Sequence, residues 1–386
     1  MSAGAQWPFD PSPRIARRAG VAGTLLLSGP MRAALRRTAL VTLGPLLALD
    51  ACGPPEARGG SAVSRAQIVF MAPTAGQPAP GAASGSGGWE LKVMDLDTSG
   101  REQVTHNQEQ EFLPHFSPDG TRLLYTRFTS GGYGIENSQS RVTVYDFATG
   151  TTRDLTDTGM DSYPVWSPDG SRIAFLSTRE FAPGRGGPAL WVMSADGSDA
   201  HEIGHPAGGN LDIVWGDIAW SSQDWILFVV AETGTSGTCF KTRLDKIRPD
   251  GTHRTQVTDG GPNCTPQRME QSGDADPGFS ADGTTIYTSR GFPYSSPGMP
   301  GSTVRKLYAV SSDAWYPGKP ERDLSVSSVP DCVEGVPKGS PDGTRILLFR
   351  GCVGERFGVT LTDTSGSYRT WVADGFGPDW TPAAKP

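Results

Sequence analysis

Histidine and cysteine are scarce in this sequence, with five of each in 386 residues. The cysteines show no CxxC spacing and no neighbouring histidine, which speaks against a bound metal, since metal ligands come in close sets. Beyond the first forty residues there is no basic run, and the net charge is -7. Nucleic-acid binders usually show a basic face, so that class is excluded. No Gly-x-Ser-x-Gly elbow stands where a strand would meet a helix, and no glycine loop is spaced to cradle phosphate. The apolar run Thr38 to Leu49 is too short to cross a bilayer as a helix. What is plentiful is glycine and proline, 50 and 32 residues. Both are poor inside helices and good at punctuating short strands.

The amino terminus has the build of an export signal. Arg32, Arg36 and Arg37 precede the apolar run, and Ala51-Cys52-Gly53 follows it. A charged region, a short apolar region and a small residue at the cut make a secretory leader. Leu49-Asp50-Ala51-Cys52 resembles a bacterial lipobox, with Asp50 where a small or apolar residue is usual. The expectation is a leader over 1–52 with lipidation at Cys52, and Met31 as an alternative start. Residues 53–65 are rich in Gly, Ala, Pro and Ser, too poor in apolar side chains to order themselves, and read as a tether.

From residue 66 one phrase recurs. Phe116-Ser117-Pro118-Asp119-Gly120, Trp166-Ser167-Pro168-Asp169-Gly170, Phe279-Ser280-Ala281-Asp282-Gly283 and Ser340-Pro341-Asp342-Gly343 are each followed by an apolar run. Trp220-Ser221-Ser222-Gln223-Asp224 is a degenerate copy. The copies lie roughly 50 to 60 residues apart, the period of propeller blades. Asp-Gly supplies a turn between two strands, because Gly accepts positive φ and Asp bonds its own backbone. A second hairpin follows in each unit, as in Leu190–Met193 through Asp196-Gly197 to Ile203. Four strands make one blade. The first unit lacks its opening strand, and Pro378-Asp379-Trp380-Thr381-Pro382 has the missing pattern. The expected fold is therefore all-β over 66–386: a six-bladed β-propeller of four-stranded antiparallel blades, closed by the carboxy-terminal strand in the first blade.

Asp161-x-x-Pro164-x-Trp166-Ser167-Pro168-Asp169-Gly170 resembles the repeat of the TolB-like propeller family over about 66–382. The resemblance implies a binding scaffold of the cell envelope, in the periplasm or anchored by lipid at the outer membrane. It implies a protein or peptide partner, no cofactor and a monomer. An enzymatic propeller, lyase-like or hydrolytic, is the alternative. Lyases of this kind hold a metal through several histidines, and peptidases of this kind carry a hydrolase domain after the propeller. This sequence has few histidines, and its repeats run to its last residues.

Cysteine pairing follows from hairpin register. Cys332 and Cys352 are equidistant from Asp342, and Cys239 and Cys264 flank the Pro249-Asp250-Gly251 turn with their midpoint just past it, so a disulfide is expected in each pair. His201 and His205 are expected in a surface loop, and His115 at a packing position. Acids recur before the first strand of several blades: Glu111, Asp161, Asp274, Asp276, Asp331, Glu334 and Asp374. The resemblance puts this region at the central channel, where a ring of carboxylates would focus negative potential on a cation or a basic segment. Alternatively, each acid caps a turn or bonds a nearby backbone amide. Both tight turns of a blade lie at one end, so the longer connections at the other end form the expected binding face. Tyr133 and Tyr294 stand in those connections, with Phe181, Arg185 and Phe292, as candidate contacts.

Overall fold

The structure is a computed structural model that describes residues 67–382 apart from 74–87, 98, 108, 133–137, 180–187, 205–210, 214–215, 234–239, 261–271, 294–302, 314–320, 326–331 and 353–355. Cys52, Tyr133, Phe181, Arg185, His205, Cys239, Cys264, Tyr294 and Asp331 lie outside the described residues, as do the leader and tether.

Every recurring phrase folds as a hairpin, and the bonds explain why. Asp119 Oδ1 accepts from the Ser117 hydroxyl at 2.6 Å and from the Thr121 N–H at 3.0 Å. The Ser117 hydroxyl oxygen accepts from the Arg122 N–H at 3.0 Å, and Gly120 takes φ of 71°. The turn thus satisfies itself with its own side chains. The same bonds recur around Asp169, Asp282 and Asp342. In the degenerate copy Asp224 holds the glycine's place with φ of 61°, a conformation Asp tolerates better than most residues.

The strand entering each turn, here the leading strand, pairs antiparallel with the strand leaving it. Gln110–Phe116 pairs with Arg122–Ser130, Asp161–Trp166 with Arg172–Ser177, and Ala219–Trp220 with Ile226–Thr233. Ser272–Phe279 pairs with Thr285–Pro293, and Cys332–Gly339 with Arg345–Cys352. Two further antiparallel strands follow in each unit, for example Gln139–Asp146 and Thr151–Asp154. Phe376–Trp380 instead pairs with Gln67–Pro73, placing Ile68 across from Trp380. Thr381 N–H donates to the Gln67 carbonyl at 2.9 Å, tying the two ends of the described chain together.

A feature the sequence reading did not anticipate is a bulge in the leading strands. Leu113, Tyr163, Asp276, Val336 and Gly377 all have positive φ, between 48° and 59°. Each directly precedes a proline: Pro114, Pro164, Pro277, Pro337 and Pro378. Proline cannot donate to the ladder and disfavours helical geometry before it, so register shifts there. A bulge re-aims the side chains on either side of it.

Apolar burial follows the strands. Leu113, Tyr163, Ile218, Trp220 and Val336 share one cluster with Val69, Leu91, Tyr125 and Phe228. Residues from several units thus meet in a common core, the sign that the units pack on one another rather than standing alone.

Candidate functional site

The acids ahead of the leading strands are not an open ring. Glu111, Asp161 and Asp274 are fully buried, and Glu334 nearly so. A sealed carboxylate cannot touch a partner, and a buried charge must be paired. Arg179 donates to Asp161 at 2.8 Å and stacks over Trp191. Arg290 grips both oxygens of Asp274, at 2.6 and 2.9 Å, and also bonds Glu321. Arg369 grips both oxygens of Glu334, at 2.7 and 3.0 Å. These partners are arginine side chains, not the turn amides of the alternative expectation. Burial raises the pKa of Asp161, opposed by Ser177 and Arg179. Glu111 has no arginine and bonds Thr105 and Asn107 instead. Among the described members of this set, Asp374 alone is exposed.

Asp276 belongs to a different group, at the centre of the leading strands. The bulge positions bring five charged side chains into one network there. Lys338 donates to Asp217 at 2.7 Å, and Asp217 Oδ1 also accepts from the Ile218 N–H at 3.0 Å. His115 lies between two acids, with Nε2 3.7 Å from Asp217 and Nδ1 3.5 Å from Asp379, ion-pair rather than hydrogen-bond distances. Asp379 accepts from the Phe116 N–H at 3.0 Å. Asp276 accepts from the Ser289 hydroxyl, which also accepts from Arg305.

The electrostatics follow from burial set against partners. Burial alone would raise Asp217, but Lys338 and His115 hold it below the usual carboxylate range. Burial and Lys338 work against a charged His115, yet the Asp217 and Asp379 contacts prevail and raise its pKa. Asp276 is raised, by burial first and by the nearby Asp217, against the pull of Arg305. The network ties Gln110–Phe116, the residues before Ala219–Trp220, Ser272–Phe279, Cys332–Gly339 and Phe376–Trp380 into one charge-balanced centre.

The expectation of a packing role for His115 misses this network. The signal was its place just after the recurring proline. Lys338 and Asp379 occupy that same place, and Asp217 and Asp276 stand two residues before it, three back from Trp220 and Phe279. Gly278 also follows a proline, and there a Cβ would come within 2.0 Å of the Pro337 carbonyl. Glycine is needed where two leading strands touch backbone to backbone.

The disulfide expected at the last repeat is present: Cys332 is bonded to Cys352, directly across the ladder.

Among known proteins, residues 83–269 match the family model described as a TolB β-propeller domain. A "Tol-Pal system protein TolB" from Anaeromyxobacter dehalogenans strain 2CP-C is 35% identical over 120 residues, 31% of this chain and 25% of that protein. The chain therefore matches about a quarter of the length of that curated relative. In three dimensions it is similar to TolB from Acinetobacter baumannii, with a TM-score of 0.55 and 16% identity over 82% of this chain and 66% of that one. A putative TolB from Agrobacterium tumefaciens gives 0.51 and 19%, over 81% and 90%. Hydrazine synthase from Kuenenia stuttgartiensis gives 0.57 and 17%, over 82% and 47%, which at such identity speaks for the shared fold alone.

Proposed function

This chain is a TolB-like β-propeller, and from that premise we propose that it is an extracytoplasmic binding scaffold, not an enzyme, whose partner is a protein or peptide of the cell envelope. The observation that carries this is the 35% identity over 120 residues to a protein named for the Tol-Pal system. That match favours binding over a lyase-like or hydrolytic role. The leader over 1–52 and lipidation at Cys52 would place the propeller in the periplasm on a lipid anchor.

In this reading the repeats form six four-stranded blades, and Phe376–Trp380 completes the first. The pairing of Ile68 with Trp380 supports it. The binding face is the end opposite the Asp-Gly turns, with Tyr133, Tyr294 and exposed Asp374 as contacts. The buried acids Glu111, Asp161 and Asp274 shape that face from within, and Asp276 braces the centre below it.

The test is affinity capture from envelope extracts, followed by binding of the purified partner to variants. Tyr133→Ala with Tyr294→Ala should weaken binding at least tenfold, about 1.4 kcal/mol. Asp119→Asn and Asp169→Asn, on the turn end, should leave it unchanged. If the turn variants weaken binding and the tyrosine variants do not, the face is wrong. If the chain captures nothing from the envelope, the scaffold reading fails.

A further inference from the structure

Of the four acids that stand five residues ahead of Phe116, Trp166, Phe279 and Gly339, three meet an arginine and one does not. Glu111 lies across the ladder from Arg127, the same placement that sets Asp274 across from Arg290 and Glu334 across from Arg350. Yet Arg127 turns to Glu109 at 3.0 Å and to Asp154 at 2.7 Å. Glu111 has a second carboxylate, Glu90, for a neighbour instead. Asn107 clamps the two together: its backbone N–H donates to Glu90 Oε1 at 3.1 Å, and its side-chain amide donates to Glu111 Oε1 at 2.6 Å. The Thr105 hydroxyl donates to Glu111 Oε2 at 3.0 Å. Glu90 is 1% exposed and Glu111 0%.

Two buried groups here are unsatisfied. Glu90 Oε2 has no hydrogen-bond partner among the described residues, which leaves its desolvation uncompensated. Separately, the fully buried Tyr125 hydroxyl has none either, and after burial itself Glu111 is the charge that acts on it most. Lys92 and His106 also bear on Glu90, but burial outweighs them and keeps its carboxyl above the usual range. Burial, opposed by Asn107 and reinforced by Glu90, pushes Glu111 up to about 8. Two adjacent sealed carboxylates need positive charge, and their oxygens keep free lone pairs to receive it.

We propose that Glu90 and Glu111 bind one hard divalent cation of the calcium type at the junction of Trp89–Asp95 and Gln110–Phe116. Both carboxylates offer oxygen, which suits calcium and not a soft metal. Among the described residues no group of three His, Cys, Asp or Glu side chains converges as ligands, so the site rests on two carboxylates and its affinity is modest. The ion would pin Thr105 and Asn107 to the start of the leading strand. This inference does not depend on the partner proposed above.

The test is calcium titration calorimetry on the full chain after treatment with a chelator, alongside thermal melts. Wild type should bind one calcium saturably and melt a few degrees higher with it, since an ion bound only to the native state stabilises that state. Glu90→Gln and Glu111→Gln should each weaken binding by about tenfold or more, while Asp119→Asn on the surface should not. No binding by wild type at millimolar calcium would overturn the site. So would full binding retained in both glutamine variants. Glutamine variants that melt above a wild type that never binds calcium would show a shared proton in place of an ion and would also overturn the site. Should either variant fail to fold, terbium luminescence of wild type decides. Sensitised emission displaced by calcium supports the site, and its absence overturns it.

Discussion

The two ends of a leading strand use the same residue type for opposite ends. At the turn end Asp169 and Asp342 sit almost in water and bond their own Ser and Thr neighbours. Those hydrogen bonds, from Ser167 and Ser340 first, pull both carboxyls down to about 2. At the other end Asp161 is sealed, burial raises its pKa, and its partner Arg179 comes from 18 residues away. A carboxylate that is solvated and locally bonded is a small, self-contained device. One that is buried depends on whatever segment the fold brings to it, and losing that partner is expensive.

The largest effect should therefore come from the buried centre. Lys338→Met keeps the volume but leaves Asp217 buried without its cation, which should cost about 3–5 kcal/mol in urea unfolding. Adding Asp217→Asn should recover much of that loss, and a coupling near zero between the two would show that they do not interact. Replacing Cys332 and Cys352 by Ser should cost about 2–4 kcal/mol, measured in the same way without reductant. The turn end should be cheaper. Asp169→Ala removes charge-assisted bonds exposed to water and should cost about 1 kcal/mol. A loss as large as that of Lys338→Met would erase the distinction between the two ends.

The smallest effect is in the acid limb. Asp169 and Asp342 have folded pKa values depressed to about 2 from an ordinary value of 3.8. Depressed carboxyls contribute stability that is present above the unfolded value and is lost as pH falls through the folded one. Stability should thus decline between about pH 4 and pH 2, and Asp169→Asn with Asp342→Asn should make that decline shallower in melts followed across that range. The contribution is modest because both groups are near solvent.

Much of the fold was legible because it is local. The Ser-x-Asp-Gly phrase names its own turn bonds, and the midpoint of Cys332 and Cys352 gives their register. The candidate site was less legible. Glu111, Asp161 and Asp274 were noticed for their spacing, but a common spacing says nothing of exposure. Glu111 and Asp274 face arginines at equivalent ladder positions, yet Arg127 is drawn off to Glu109 and Asp154 while Arg290 stays. His115, Lys338 and Asp379 look like isolated charges in the chain, far apart in number and unlike their siblings Val165 and Gly278, and Asp217 stands at another position of the repeat.

By itself the sequence determined the repeating hairpins, the strand at Trp380 that pairs with the one at Ile68, and one disulfide, because turn chemistry and alternation act over a few residues. Only the tertiary structure decided which charges meet. That choice depends on the bulge before each proline and on how neighbouring units stack, and a buried charge takes its partner from across the fold, where no local pattern reaches.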